Sequence, residues 1–168
     1  PGLLALFFFF CVRPGSIGSF EIGYIIGPRL NAIGRLDHAI DALRLLCTKD
    51  QSKARKLASL LGTTNTTRQE MTMVAVEQAT IMVESEEKIQ VLHSKEWSSG
   101  IIGLIAGKIT EQYYQPSIAI SMGEKISKGS ARSIDGINIV ELIRKYQDIL
   151  IDVGGQSGAA GFSIESKH

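Results

Sequence analysis

The sequence predicts an α/β fold: a small sheet with flanking helices in the second half of the chain, approached by one long helix. Two observations carry this. After Glu87, short apolar runs of strand length alternate with helical runs of about 10 to 15 residues, the pattern of an α/β sheet. Before Glu87, apolar residues keep a helical spacing from Asp50 to Met82, long enough to span two domains. The composition agrees: 168 residues, 44% apolar and 21% charged, suit a globular chain of about one domain with room for a small second unit.

Taken in order, Leu3 to Val12 with Phe7-Phe8-Phe9-Phe10 inside it reads as a buried helix. The run is about half the roughly 20 residues that cross a bilayer, so no membrane partner is expected. A Pro14-Gly15 turn, a short segment Glu21 to Ile26 and a basic loop Gly27 to Arg35 follow. The first residue is not Met, and the expectation is a chain that begins inside a longer protein. Asp37 is placed to cap a helix carrying Ile40, Leu43, Leu46 and Cys47 at helical spacing. Asp50 opens the long run, with Ala54, Leu57, Leu60 and Leu61 on one face, then Met71, Val74, Ala75, Gln78, Ile81 and Met82. Gly62 and the Thr63-Thr64-Asn65-Thr66-Thr67 cluster are poor helix residues and weaken its continuity. Beyond it, Ile89 to His93 is a strand, Ile101 to Tyr114 a helix, Pro116 to Ser121 and Ile126 to Ser133 strands, and Asn138 to Gln147 a helix. Ile149 to Val153 is a short strand or helix end, and Gly161 to Ile164 closes the chain as a strand.

Chemistry concentrates in four places. Gly154-Gly155-Gln156-Ser157-Gly158-Ala159-Ala160-Gly161-Phe162 presents almost bare backbone, which turns sharply and lets another group come close. Lys128, Ser130 and Arg132 share one face of a strand by period-2 alternation, a ladder of donors suited to successive phosphates. Arg29, Asn31 and Arg35 gather two planar guanidinium forks and an amide between Gly27 and Gly34. Trp97 to Gly107 is a strand-to-helix transition with Ser98 or Ser99 as the natural N-cap. Gly100, Gly103 and Gly107 allow a close approach there, and Trp97 is read as core. The formal net charge of +1 requires any polyanion to be met by a local basic face. Cys11 and Cys47 fit no metal spacing and suit a reducing cytoplasm. No histidine has a second ligand at metal spacing, and no Ser-His-Asp order, P-loop or His-Glu-x-x-His can be assembled.

These four stretches, in this order and spacing, resemble the RecJ family of single-strand-specific 5′→3′ DNA exonucleases, within the DHH phosphoesterase superfamily. The likeness covers nearly the whole chain. It implies that residues 1–45 are the C-terminal edge of a DHH catalytic domain, 46–87 a connector helix, and 88–168 a small mixed-sheet DHH-associated domain. It also implies two divalent ions, Mn2+ or Mg2+, held by a catalytic domain whose Asp and His motifs are not in this sequence, so the chain alone is expected to be inactive. By the same resemblance Arg29, Asn31 and Arg35 border a DNA path. Lys128, Ser130 and Arg132 grip phosphates, with Ser98 at the helix start, while Gly154, Gly155 and Gln156 face the scissile group. The implied partner is single-stranded DNA, or short RNA, with DNA-repair proteins alongside, in the cytoplasm. Two positions depart from the family, which carries His where this chain has Ser98 and Gln156; Gln donates to a phosphate but is no general acid. The other readings are an oligoribonucleotide or cyclic-dinucleotide phosphodiesterase of the same superfamily, and a non-catalytic nucleic-acid-binding module.

Overall fold

The computed structural model describes residues 1–15 and 17–168 as two compact units, Pro1–Glu70 and Met71–His168. The first unit is helical. It comprises α1 (Gly2–Phe9), a π-helical turn (Glu21–Ile26) running into α2 (Gly27–Leu36), α3 (Ile40–Cys47) and the first part of α4 (Gln51–Ile81). Its core brings Leu6, Ile33, Leu45, Ala54, Ala58 and Leu61 together. Leu6 is fully buried while Phe8 on the same helix is 81% exposed, so α1 commits one face only.

Several expectations change here. Gly27 to Arg35 is helix, not loop: the helical backbone runs on from the π-helical turn, and Pro28, which has no N–H to donate, sits directly after that turn. Asp37 does not cap α3; the N-cap is Ala39, and Asp37 Oδ1 accepts from the neighbouring His38 N–H at 2.7 Å. The buried face of α3 is that of Leu45, at 0% exposure, whereas Ile40, Leu43 and Leu46 are 46–55% exposed. Helical spacing alone offers both stripes, and packing of Ala42 and Leu45 against the core selects between them.

Asp50 does cap the long helix, accepting from Lys53 N–H at 3.0 Å. That bond, with a second from Ser52 N–H, holds its carboxyl below the usual carboxylate range. The helix runs unbroken for 31 residues. Thr63 and Thr66 donate their hydroxyls to the carbonyls of Ser59 and Gly62, so they stay within the helix instead of competing with it. Gly62 lies against Phe10, whose ring a Cβ would meet at 3.0 Å.

The second unit holds the sheet: β1 (Gln90–Ser94), α5 (Ile102–Tyr113), β2 (Ser117–Ser121), β3 (Ile126–Arg132), α6 (Ile139–Arg144), a 3-10 turn (Gln147–Ile149), β4 (Leu150–Gln156) and β5 (Ala159–Glu165). The strand order is β1-β2-β3-β5-β4. β1 and β2 are parallel, joined through α5, and every other pair is antiparallel. This is a mixed sheet. Helix α5 covers one face over β2 and β3, where Leu92, Ile105, Ile109 and Ala119 are buried. Helix α6 covers the other face over β4 and β5, closing on Ala131, Ala160 and Phe162. Trp97 is core as expected, 3% exposed, its Nε1–H donating to Gln78 Oε1 at 2.8 Å.

Candidate nucleic-acid interface

Strand register assembles the site. On the α5 side of the sheet, pairing aligns Ser130 with Gly161 and Gly161 with Gly154, Arg132 with Ala159 and Ala159 with Gln156, and Lys128 with Ser163 and Ser163 with Asp152. Three rows therefore cross from β3 to β4, each starting at a donor side chain. The middle row ends in bare backbone: a Cβ on Gly154 would meet nothing within 4 Å, and one on Gly161 only the Gly129 carbonyl oxygen at 3.8 Å. Gly154, Gly161 and Gln156 are exposed. The result is a shallow trough with a glycine floor and a rim of Lys128, Ser130 and Arg132.

The Gly-rich stretch is thus a hairpin. Gly154, Gly155 and Gln156 lie on β4, and only Ser157-Gly158 turn the chain. The glycines still matter. Gly155 has φ +149°, and a Cβ there would collide with the Ala159 carbonyl oxygen. Gly154 leaves the trough open. Since β4 is an edge strand, its outer backbone groups have no strand partner among the described residues.

Helix α5 meets the rim from one side. A Cβ on Gly103 would stand 3.1 Å from both Arg132 Nη2 and Ser130 Oγ. Arg132 Nη1 donates to the Ala131 carbonyl at 2.8 Å and to Ser130 Oγ at 3.4 Å. Ser130 and Arg132 are accordingly half-buried, while Lys128 is exposed. Ser98 does not cap α5, whose N-cap is Ile101; its Oγ accepts from Gly100 N–H at 3.3 Å instead. Ser98 thus holds the turn before the helix.

In the first unit the three residues of the expected basic loop separate. Arg29 is folded inward: its guanidinium lies 3.9 Å over the Phe10 ring and donates to the Ile25 carbonyl at 2.6 Å. Its Nε is shielded from solvent with no acceptor among the described residues, and burial pushes the guanidinium down from its ordinary value. Asn31 and Arg35 are exposed, one helical turn apart on α2. Sequence reasoning missed Arg68 on α4, which donates to Asn65 Oδ1 at 3.1 Å. Burial first, then the nearby Arg35 charge, lowers its basicity. A guanidinium at helical spacing in a polar stretch leaves no local signal.

Among the described residues no group of three or more His, Cys, Asp or Glu side chains is gathered to hold a metal ion. Two-metal chemistry does not fit the donors of this chain. No helix among the described residues is long and apolar enough to cross a membrane.

Residues 86–168 match the DHHA1 domain family. The chain is 35% identical over 158 residues to the single-stranded-DNA-specific exonuclease RecJ of Bacillus subtilis, covering 91% of this chain and 20% of that protein. It is 34% identical to RecJ of Salmonella typhimurium, covering 98% of this chain and 31% of the relative. The crystal structure of RecJ from Thermus thermophilus in complex with Mg2+ superposes with a TM-score of 0.90 at 32% identity, over 99% of this chain and 26% of that one. A crystal structure of RecJ bound to manganese superposes at 0.80 with 33% identity, over 89% of this chain and 38% of that one. The chain thus spans about a fifth to a third of the length of the curated relatives.

Proposed function

We propose that this chain, which carries a DHHA1 domain and is homologous to RecJ over most of its length, is the part of a single-strand-specific 5′→3′ exonuclease that grips the nucleic-acid backbone. The observation that carries this is the trough: Lys128, Ser130 and Arg132 in one line beside the exposed Gly154–Gly161 floor. Phosphate contacts of this kind position a strand without reading its sequence. Lys128 supplies an exposed point charge, Arg132 a planar fork and Ser130 a hydroxyl. The bare floor lets a sugar-phosphate backbone come close to the protein backbone, and Gln156 donates at its edge.

In this reading residues 1–45 are the edge of a DHH catalytic domain, 46–87 a connector, and 88–168 the DHH-associated domain. Asn31 and Arg35 border the strand's path, while Arg29 holds α2 in place. The hydrolytic step belongs to a catalytic domain using Mn2+ or Mg2+, and this chain supplies binding, not bond cleavage. The partner is single-stranded DNA, and the setting is cytoplasmic repair or recombination.

The test is a labelled single-stranded oligonucleotide titrated with the chain, in the presence and absence of Mn2+, following anisotropy and product length together. Binding that weakens steeply with salt and leaves the oligonucleotide intact is the expected result. No binding at low salt overturns the reading, and shortening that stops with chelator would assign a hydrolytic centre to this chain.

A further inference from the structure

Helix α5 opens with glycine at its second position, although glycine is among the poorest helix residues. Nothing in its backbone demands it: Gly103 is not among the positive-φ glycines, which are Gly136 and Gly155. Its surroundings give the reason. The two atoms nearest to a Cβ at this position are Arg132 Nη2 and Ser130 Oγ, each at 3.1 Å, and the next is Arg132 Cζ at 3.8 Å. Both side chains belong to the rim of the trough. By contrast, a Cβ at Gly107, one turn along the same helix, would meet only Arg132 Cγ at an ordinary 3.9 Å.

We propose that Gly103 is a positioning residue for the phosphate-binding pair, holding Arg132 and Ser130 in register by leaving room for them against α5. The inference rests on the reading of the trough as a phosphate site. The guanidinium is held by the strand carbonyl of Ala131 and the Ser130 hydroxyl, with no side chain on the facing helix turn to displace it. Ser130 Oγ already accepts from Arg132, so the direction of its own proton depends on the same contact. With a methyl at position 103 the flexible end of Arg132 is the part that yields, since a strand and a helix backbone are stiffer. The fork then tilts away from Ser130, and two donors no longer converge on one phosphate.

Gly103→Ala and Gly107→Ala in the full chain, each with and without Arg132→Ala, provide the test. The probe is a short single-stranded oligo(dT) bearing a 5′-phosphate, and the readouts are anisotropy across a salt series and thermal unfolding. Gly103→Ala is expected to keep or raise the melting temperature. It should weaken binding by roughly 3- to 10-fold, the scale of a displaced charged contact, and flatten the salt dependence by a fraction of the ~0.7 slope expected per single-strand phosphate. Gly107→Ala should bind as the unaltered chain does. In the Arg132→Ala background the effect of Gly103→Ala should vanish, because the group it displaces is gone. An equal loss in both backgrounds, or a fall in melting temperature that tracks the affinity, overturns the positioning role. If Arg132→Ala alone leaves binding unchanged, the trough reading itself fails; if it weakens binding and Gly103→Ala does not, only the inference about Gly103 fails.

Discussion

The two faces of the five-stranded sheet carry two regions built on opposite plans. On the α5 side, β5 and β4 present Gly161 and Gly154 as one bare row, between the Ala159–Gln156 row and the Ser163–Asp152 row. On the α6 side, β1 and β2 present Val91, Ile118 and Ile120, and with Leu142 and Tyr146 these line an apolar groove. Backbone geometry is similar on both sides; what differs is whether Cβ carries anything. Apolar side chains on a sheet contribute to folding through the area they bury, about 25 cal/mol per Å2. Glycines contribute nothing of the kind and cost roughly 0.5–1 kcal/mol each in a strand interior. The apolar half-face packs against the α6 core, and the bare row is where the proposed phosphate contacts would fall.

The sharpest way to break this contrast lies within two adjacent residues. Gly155 points to the α6 side at φ +149° against Ala159 and Ala160, while Gly154 points into the open trough. Gly155→Ala should therefore destabilise the second unit by about 2–4 kcal/mol, combining strain with a backbone collision. Gly154→Ala should change stability by less than about 1 kcal/mol, and in the favourable direction if the strand gains from a side chain. Thermal unfolding followed by circular dichroism decides. Equal losses at the two positions would mean that both glycines serve the fold, and the bare face would lose its special status.

One pair of substitutions tests the two half-faces against each other. Ile118→Ala removes a partly buried side chain from the edge of the α6-side core and should cost about 1–3 kcal/mol of stability with no change in oligonucleotide affinity. Arg132→Ala should do the converse: about 1–2 kcal/mol of binding, roughly 10-fold, lost uniformly across sequences, with the salt slope reduced by about 0.7. Isothermal unfolding and anisotropy titrations on the same samples separate the effects. A loss of affinity in Ile118→Ala at full folding would place nucleic acid on the apolar side.

Much of this architecture is legible in the residues, and the failures share a cause. Strand alternation puts Lys128, Ser130 and Arg132 on one face because period-2 geometry is local and nearly invariant, and the β3–β5 register keeps them there. The Gly-rich stretch stands out in the sequence, but as a turn. A glycine that opens a strand for a ligand and a glycine that turns the chain look alike in one dimension. Gly27 to Arg35 resembles a loop because Gly, Pro and Asn are turn residues, yet it continues a helical run through the π-helical turn and buries Ala32 and Ile33. Arg29 cannot be told from Arg35 by sequence: one stacks on Phe10 and the other is exposed, a choice made by a ring far upstream in the chain. Asp50 caps the run it opens while Asp37, expected to cap, does not, since a cap depends on where the helix begins.

The smallest expected effect concerns Gln156, which shares its row with Arg132 through Ala159. Its amide carries no titratable proton, so it can donate to a phosphate but cannot make the trough's charge depend on pH. Gln156→His would add an imidazole at that edge, titrating ordinarily near pH 6.5. Protonation adds a cation beside the bound phosphates. The affinity of the variant relative to the unaltered chain should therefore rise as pH falls through about 6.5, by roughly 2- to 5-fold, the scale of one exposed charge in screened water. Above about pH 8 the imidazole is neutral and the ratio should return to about one. Paired anisotropy titrations across that range measure the ratio directly, with other pH-dependent groups common to both proteins. A ratio that stays flat would put residue 156 out of reach of the phosphates and shorten the trough to the rows of Ser130 and Lys128. A rise confined to low pH would extend it along the full width of the bare face, from β3 to the outer edge of β4.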